Sequence, residues 1–186
     1  MSAQPDEPVS RVRMSWQDYL DLHEQPEKSR AEWVAGEVVV VNAPPLFGHG
    51  VATVRLIVCL TSHLPDLHVV TEVFLRLPRD RVRLSDVMVT RTRPPDGWVT
   101  EPPVLVAEVL SRATRSEDTL RKSTEYAEGG VGQYWILDPE LRTLDALGND
   151  GGGWQVLAHL DDDRPTGEVE VDGVRVPLDL EQLLPP

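Results

Sequence analysis

Residues 102–138, "PPVLVAEVLSRATRSEDTLRKSTEYAEGGVGQYWILD", constrain the fold more than any other part of the chain. An apolar run of strand length leads into a helical segment with Thr114 or Ser116 as its cap and Gly129 or Gly130 as its stop. The run "QYWILD" then follows at once as a second strand. Strands joined through a helix in this way can pair in parallel, so the unit predicts an α/β domain with a mixed sheet and helices packed on it. One residue resists this reading. Glu108 interrupts the first strand with a carboxylate where only apolar side chains are expected.

The rest of the chain supplies more strands and short helices. Ser15 with Asp18 three residues on forms a capping box before a first helix, and "AEWVAGEVVVV" reads as a hairpin of Glu32–Val34 and Glu37–Val41 turning at Gly36. A helix is expected from about His49 to Leu64, where Val51, Val54 and Val58 and Leu56, Leu60 and Leu64 recur at helical spacing. "LHVVTEVFLRL" and "RVRLSDVMVT" read as two continuous strands before the crossover unit. A single domain of residues 1–186 is expected, with residues 1–13 flexible and residues 141–186 forming C-terminal hairpins and a terminal helix.

Cys59, the one cysteine, excludes an intrachain disulfide framework and reads as a buried, inert thiol. No apolar leader opens the chain and no stretch approaches the ~20 apolar residues of a membrane span. A cytoplasmic protein, neither exported nor membrane-bound, is the expectation. The formal charge of −13 argues against a uniformly basic nucleic-acid binder, but the charge is unevenly spread. Residues 150–186 carry nine acidic side chains against Arg164 and Arg175, whereas residues 76–122 carry ten basic against seven acidic. That central excess suits either a phosphate-facing surface or solvated strand edges.

Strand alternation places Val82, Leu84, Asp86 and Met88 on one face, and Val104, Val106, Glu108 and Leu110 on one face. Each carboxylate thus lies among apolar neighbours. Burying an ionised carboxylate alone costs several kcal/mol, roughly, so two such positions point to a shared cation, or to pairing with the nearby arginines. Oxygen ligands that leave room for water and phosphate favour Mg²⁺ or Mn²⁺. The histidines His23, His63, His68 and His159 lack zinc-ligand spacing, and no nucleotide-binding glycine loop or serine-hydrolase elbow is present.

The run "LSDVMV", then "PPVLVAEVLS", then "TRSEDTLRKSTEYAEGGVGQYWILDPE" resembles the PD-(D/E)XK nuclease superfamily and, more narrowly, the Uma-type family of proposed restriction endonucleases. The resemblance runs from the first helix through Gly36–Glu37 and His49 to residues 134–140. It implies a restriction endonuclease-like core, a mixed β-sheet flanked by helices with added hairpins, and a Mg²⁺-dependent site that Mn²⁺ could also fill. Asp86 matches the PD aspartate, with Ser85 in the place of the proline. Glu108 matches the second acidic ligand, and Leu110 stands where a lysine is expected, that lysine being matched by Lys122 one helix later. The backbone carbonyl of Val109 is implied as a further metal ligand, and Glu37 and His49 as supporting catalytic groups. Gln133 replaces a commoner glutamate, and Val104 stands in "PPVL" for "PPDL".

The implied activity is hydrolysis of phosphodiester bonds in nucleic acid, most naturally DNA, by a homodimer, since two-fold dimers are the commonest oligomers and cut both strands of a duplex. The alternative is a nuclease fold serving as a noncatalytic interaction module, in keeping with the acidic charge. Lys122 has its own simpler reading as a surface partner of Asp118, four residues away. Tyr126, one turn beyond Lys122, reads as packing support.

Overall fold

The computed structural model describes residues 9–23, 31–41, 47–95, 97–111 and 117–184. The crossover unit forms as expected: β8 (Leu105–Val109) and β9 (Gln133–Asp138) pair in parallel, from Leu105 opposite Gln133 to Val109 opposite Leu137. Between them lies a π-helical turn, Glu117–Lys122, running straight into α3 (Ser123–Glu128), which stops at Gly129 and Gly130. The proposed caps Thr114 and Ser116 lie outside the described residues.

Around this pair the mixed sheet has the order β11-β10-β9-β8-β7-β4, with β4 (His68–Val70), β7 (Val87–Thr90), β10 (Thr143–Asn149) and β11 (Trp154–Leu160) joined antiparallel. A second, antiparallel sheet has the order β1-β3-β2-β6-β5, built from β1 (Val9–Arg13), β2 (Glu32–Val34), β3 (Glu37–Val41), β5 (Val73–Leu77) and β6 (Arg81–Ser85). β12 (Thr166–Val171) and β13 (Val174–Asp179) form a separate two-stranded sheet.

Two expectations are corrected. Residues 9–13 are not a flexible lead, because Val9–Arg13 pairs with β3 in register from Val9 opposite Val41 to Arg13 opposite Glu37. Its sequence, VSRVR, carries the charges of a solvated edge strand and so lacks the apolar signal that reveals a strand. The second correction concerns the two strands read as continuous. Each passes from one sheet to the other: β5 pairs with β6 in the five-stranded sheet, and β4 with β7 in the mixed sheet.

The passage occurs at Thr71–Glu72 on one strand and at Asp86 on the other. Glu72 takes a left-handed φ of 54°, its amide donates to the Ser85 carbonyl at 3.2 Å, and the Thr71 hydroxyl donates to the Asp86 carbonyl at 2.7 Å. The side-chain faces change over at this bend. Val82 and Leu84 pack in an aromatic cluster with Tyr19, Trp33, Phe74 and Trp98, whereas Met88 packs with Val106, Tyr126 and Tyr134 under α3. Val82, Leu84, Asp86 and Met88 therefore do not share one face, since strict alternation holds only within one sheet.

The first helix, α1 (Trp16–His23), opens on the expected box: the Asp18 amide donates to the Ser15 hydroxyl at 3.1 Å, and that hydroxyl donates to the Asp18 carboxylate at 2.6 Å. The long helix α2 (Phe47–His63) lays Ala52, Leu56 and Leu60 on the mixed sheet against Val87, Val89, Leu105, Ala107 and Val109. The same core takes in Val176, Leu178, Leu180 and Leu183 from β13 and α4 (Leu180–Leu183), so the acidic C-terminal region is part of the main core. Opposite α2, the mixed sheet is covered by α3, and Glu108 points to that side.

Candidate active site

The site grows out of the bend at Asp86. Val87 pairs with Ala107, and one further step along the same register would bring Asp86 opposite Glu108, just past the last paired residues. A step beyond that, Val109 would meet Ser85. The Ser85 carbonyl, however, already accepts from Glu72 at the bend before β5, and the Val109 amide donates instead to Asp86 Oδ2 at 2.8 Å. The strands thus fork, and the side chain of Asp86 closes the crotch. This is why a carboxylate is needed where the sheet divides: it satisfies an amide that would otherwise lose its ladder partner.

His49, in the first turn of α2, reaches the same oxygen, with Nε2 at 3.3 Å from Asp86 Oδ2. Burial works to raise the Asp86 pKa, but the hydrogen bond and charge of His49, the charge of Lys122 and the Val109 amide outweigh it and leave the carboxyl below its ordinary value. Asp86 is held ionised.

Glu108 is 2% exposed and is met from the helical side. Lys122 Nζ lies 3.1 Å from Glu108 Oε1, and the Tyr126 hydroxyl donates to that same oxygen at 2.8 Å. Lys122 ends the π-helical turn and Tyr126 stands four residues on in α3, so the two side chains leave the helix on one face. Burial and then the charge of Glu108 push the Tyr126 hydroxyl well above the ordinary tyrosine pKa, keeping it a donor. Tyr126 also packs edge-on to Tyr134 at 5.2 Å between ring centroids, so its packing role is accompanied by a polar one. For Lys122 the simple surface reading fails, because its side chain is buried; the Asp118 side chain lies outside what the structure describes.

Glu32 also belongs to the cluster, and sequence reasoning passed over it. Its Oε1 accepts from the Leu84 amide at 3.0 Å and lies 3.3 Å from Lys122 Nζ, while its Oε2 accepts from Arg83 at 2.7 Å. Arg83, fully buried, donates in turn to Glu125 of α3 at 2.6 Å. Burial acts to raise the Glu32 pKa, yet Lys122, Arg83 and the Leu84 amide bring it below the usual glutamate value. The signal that singled out Glu108, a carboxylate inside an apolar strand, was present in "AEWVAG" as well.

Glu37 goes elsewhere. Its carboxylate lies 3.9 Å from Arg11 and 4.0 Å from Arg13, and its register with Val34, itself paired to Arg81, puts it five residues along β6 from Asp86. At 3.2–3.4 Å per residue that is about 16 Å, so Glu37 does not join the carboxylates of the fork. Gln133, at the far end of the parallel pair from Glu108, donates to the Glu170 carbonyl at 2.6 Å, and its carboxamide oxygen accepts from Trp135 at 3.0 Å. Leu110 is buried beyond the end of β8, and Arg112 and Arg115 lie outside the described residues.

Among the described residues no three His, Cys, Asp or Glu side chains converge closely enough to cage an ion by themselves. That excludes a closed structural site there, but the fork suits a hard cation that keeps water and phosphate in its shell. Asp86 and Glu108 both bring carboxylate oxygens to the fork, Glu108 buried and the Asp86 side chain 27% exposed, so the fork opens toward solvent on the Asp86 side.

A family model, Uma2, described as "Putative restriction endonuclease", matches residues 16–180. No curated protein matches the sequence. Among solved structures, one described as a putative nuclease belonging to DUF820, from Anabaena variabilis, superposes with a TM-score of 0.69 at 16% identity, covering 91% of this chain and 97% of that one. The fold is accordingly restriction endonuclease-like, and no helix among the described residues is long and apolar enough to cross a membrane. With the match running from the first helix to the start of the last and taking in the whole fork, the chain belongs to the Uma2 putative restriction endonuclease family, a family of nucleases.

Proposed function

We propose that the protein is a divalent-metal-dependent phosphodiesterase that hydrolyses nucleic acid, DNA in the first instance, at the Asp86–Glu108 fork. The observation that carries this reading is the meeting of two carboxylates at the fork, Asp86 bonded to the Val109 amide beside the buried Glu108, with the Lys122 ammonium 3.1 Å from Glu108. Asp86 and Glu108, with the Val109 carbonyl, are the groups that would hold Mg²⁺ or Mn²⁺. Such an ion makes water nucleophilic near neutral pH and offsets charge on the phosphate and the leaving oxygen.

The chain's own residues do the rest. Lys122 brings a fixed positive charge to the developing charge of the phosphate and can orient the attacking water through its N–H groups. His49 and the Val109 amide fix the Asp86 carboxylate, and Tyr126 fixes that of Glu108, so neither must reorganise when substrate arrives. Incubating the protein with plasmid, linear duplex, single-stranded DNA and RNA, each with Mg²⁺, Mn²⁺ or chelator, tests the reading. Cleavage of DNA confined to the metal samples is expected. No cleavage in any sample would direct attention to the interaction-module alternative. Two-fold pairing would serve double-strand cutting, and light scattering on the active protein tests it.

A further inference from the structure

In this chain the lysine does not come from the strand that carries Glu108. It reaches the fork from a helix, on a flexible four-carbon stem, and needs an anchor of its own. An ammonium has three donors, and among the described residues Glu108 Oε1 at 3.1 Å, Glu32 Oε1 at 3.3 Å and the Leu84 carbonyl at 3.3 Å lie within reach of this one. Glu108 belongs to the mixed-sheet arm of the fork. Glu32 and Leu84 belong to the other arm, where they are bonded to each other through the Leu84 amide.

The anchor is itself tied back to the helix. Arg83 joins Glu32, at 2.7 Å, to Glu125, at 2.6 Å, and Glu125 lies three residues beyond Lys122. Lys122, Glu32, Arg83 and Glu125 therefore form a closed ring of ion pairs whose last link is α3 itself. Both oxygens of Glu32 are occupied by this ring and by the Leu84 amide, which makes it unsuited to be a metal ligand.

We propose that Glu32, locked by Arg83, is a positioning residue that holds the Lys122 ammonium at the fork, so that Lys122 stays in place when Glu108 is engaged by metal and substrate. This rests on the hydrolase reading above, and its consequences divide cleanly from it. Glu32 acts through Lys122 alone. Removing its charge should therefore slow turnover only while Lys122 is present.

The test is a double-mutant cycle of Glu32→Gln and Lys122→Met, read by single-turnover cleavage with Mg²⁺, by Mn²⁺ calorimetry, and by the NMR cross-peak of the Lys122 ammonium, identified by its loss in Lys122→Met. Glu32→Gln should lower the cleavage rate at least tenfold, leave substrate affinity and Mn²⁺ heat as in the wild type, and broaden away the ammonium peak. In the Lys122→Met background it should change the rate less than twofold. Should Glu32→Gln not fold, Glu32→Gln with Arg83→Met removes the anchor without leaving the buried guanidinium facing a lost partner, and the same outcomes apply. Additive rate losses, or loss of Mn²⁺ heat in Glu32→Gln, overturn the proposal. If the wild type cleaves nothing, the hydrolase reading fails, and the ammonium peak alone decides the anchor: its broadening in Glu32→Gln sustains it and its persistence refutes it.

Discussion

The Val109 amide donates to the Asp86 carboxylate at 2.8 Å, in the place where an unbroken sheet would have offered it the Ser85 carbonyl. Asp86 is thus a structural closure of the fork as well as a candidate ligand, and substitutions separate the two roles. Asp86→Ala should orphan a buried amide and cost about 1–3 kcal/mol. Asp86→Asn keeps an acceptor oxygen and should cost less, while both should lose the heat of Mn²⁺ binding. Urea melts and calorimetry on the two variants check this; an Asp86→Asn that binds Mn²⁺ like the wild type would remove Asp86 from the ligand set.

Glu108 should behave differently from a carboxylate facing only another carboxylate. On charge alone its removal relieves repulsion with Asp86, but Lys122 and Tyr126 both rest on its Oε1. Glu108→Ala should therefore destabilise, by up to about 3–5 kcal/mol for a broken buried pair, with Glu32 beside Lys122 reducing the loss. Glu108→Gln retains an acceptor for Tyr126 and should stay folded while binding no Mn²⁺. Thermal melts rank the two variants, and a Glu108→Ala more stable than wild type would contradict the pairing.

The parts of this arrangement legible in the sequence are those that depend on local pattern. The crossover unit announces itself by its change from strand to helix to strand, and Glu108 by its intrusion into an apolar run. The bend at Asp86 leaves no such mark, because RVRLSDVMV alternates plausibly from end to end and only pairing partners reveal that its halves lie in different sheets. Glu32 was equally visible in kind but lies in a strand of three residues, and its partners Arg83 and Lys122 are 51 and 90 positions away, from 83 − 32 and 122 − 32. Long-range ion pairs of that sort have no signature in a single sequence. Family likeness supplied Lys122, which spacing alone could only pair with Asp118.

The buried ring also predicts the acid limb of stability. The pKa of Glu32 is lower in the folded chain than its unfolded value, of about 4.3, so its ionisation stabilises the fold fully above that value. The contribution is lost as pH falls through the lower, folded value. Between pH 5 and pH 3 the wild type should lose more stability than Glu32→Gln, whose amide does not titrate. Denaturant midpoints of the two proteins at pH 5, 4 and 3 measure the difference; parallel declines would show that Glu32 does not contribute.

The acidic C-terminal region suggests a removable brake on nucleic-acid binding, with nine acidic residues against two arginines in 150–186. Its packing forbids the experiment. Leu160, Val169, Val171, Val176, Leu178, Leu180 and Leu183 lie in the core beneath α2. A chain ended after Asp145 should fail to fold, as circular dichroism would show. Charge neutralised in place does the test properly: Asp162→Asn with Asp163→Asn, both exposed, should strengthen DNA binding modestly at low salt and lose that advantage near 0.5 M, where the screening length is only a few ångströms, about 4. Equal affinities at low salt would show that this charge does not govern binding.

The lysine offers the sharpest check on the chemistry. Lys122→Met keeps the length and apolar stem of a buried side chain and removes only the ammonium, so α3 should remain and Mn²⁺ should still bind. Loss of a group acting on developing charge should slow single-turnover cleavage on the order of a hundredfold or more. Leu110 stands two residues past Glu108, where the family pattern places the lysine, and it is buried at 6% exposure. Leu110→Lys in the Lys122→Met background therefore tests whether an ammonium delivered from the strand that carries Glu108 can stand in for Lys122. Partial recovery of the rate, tenfold or so above Lys122→Met, is expected if a positive charge at the fork is what matters, whichever element delivers it. Wild-type cleavage rates in Lys122→Met would instead reduce Lys122 to a structural ion pair between the two arms of the fork.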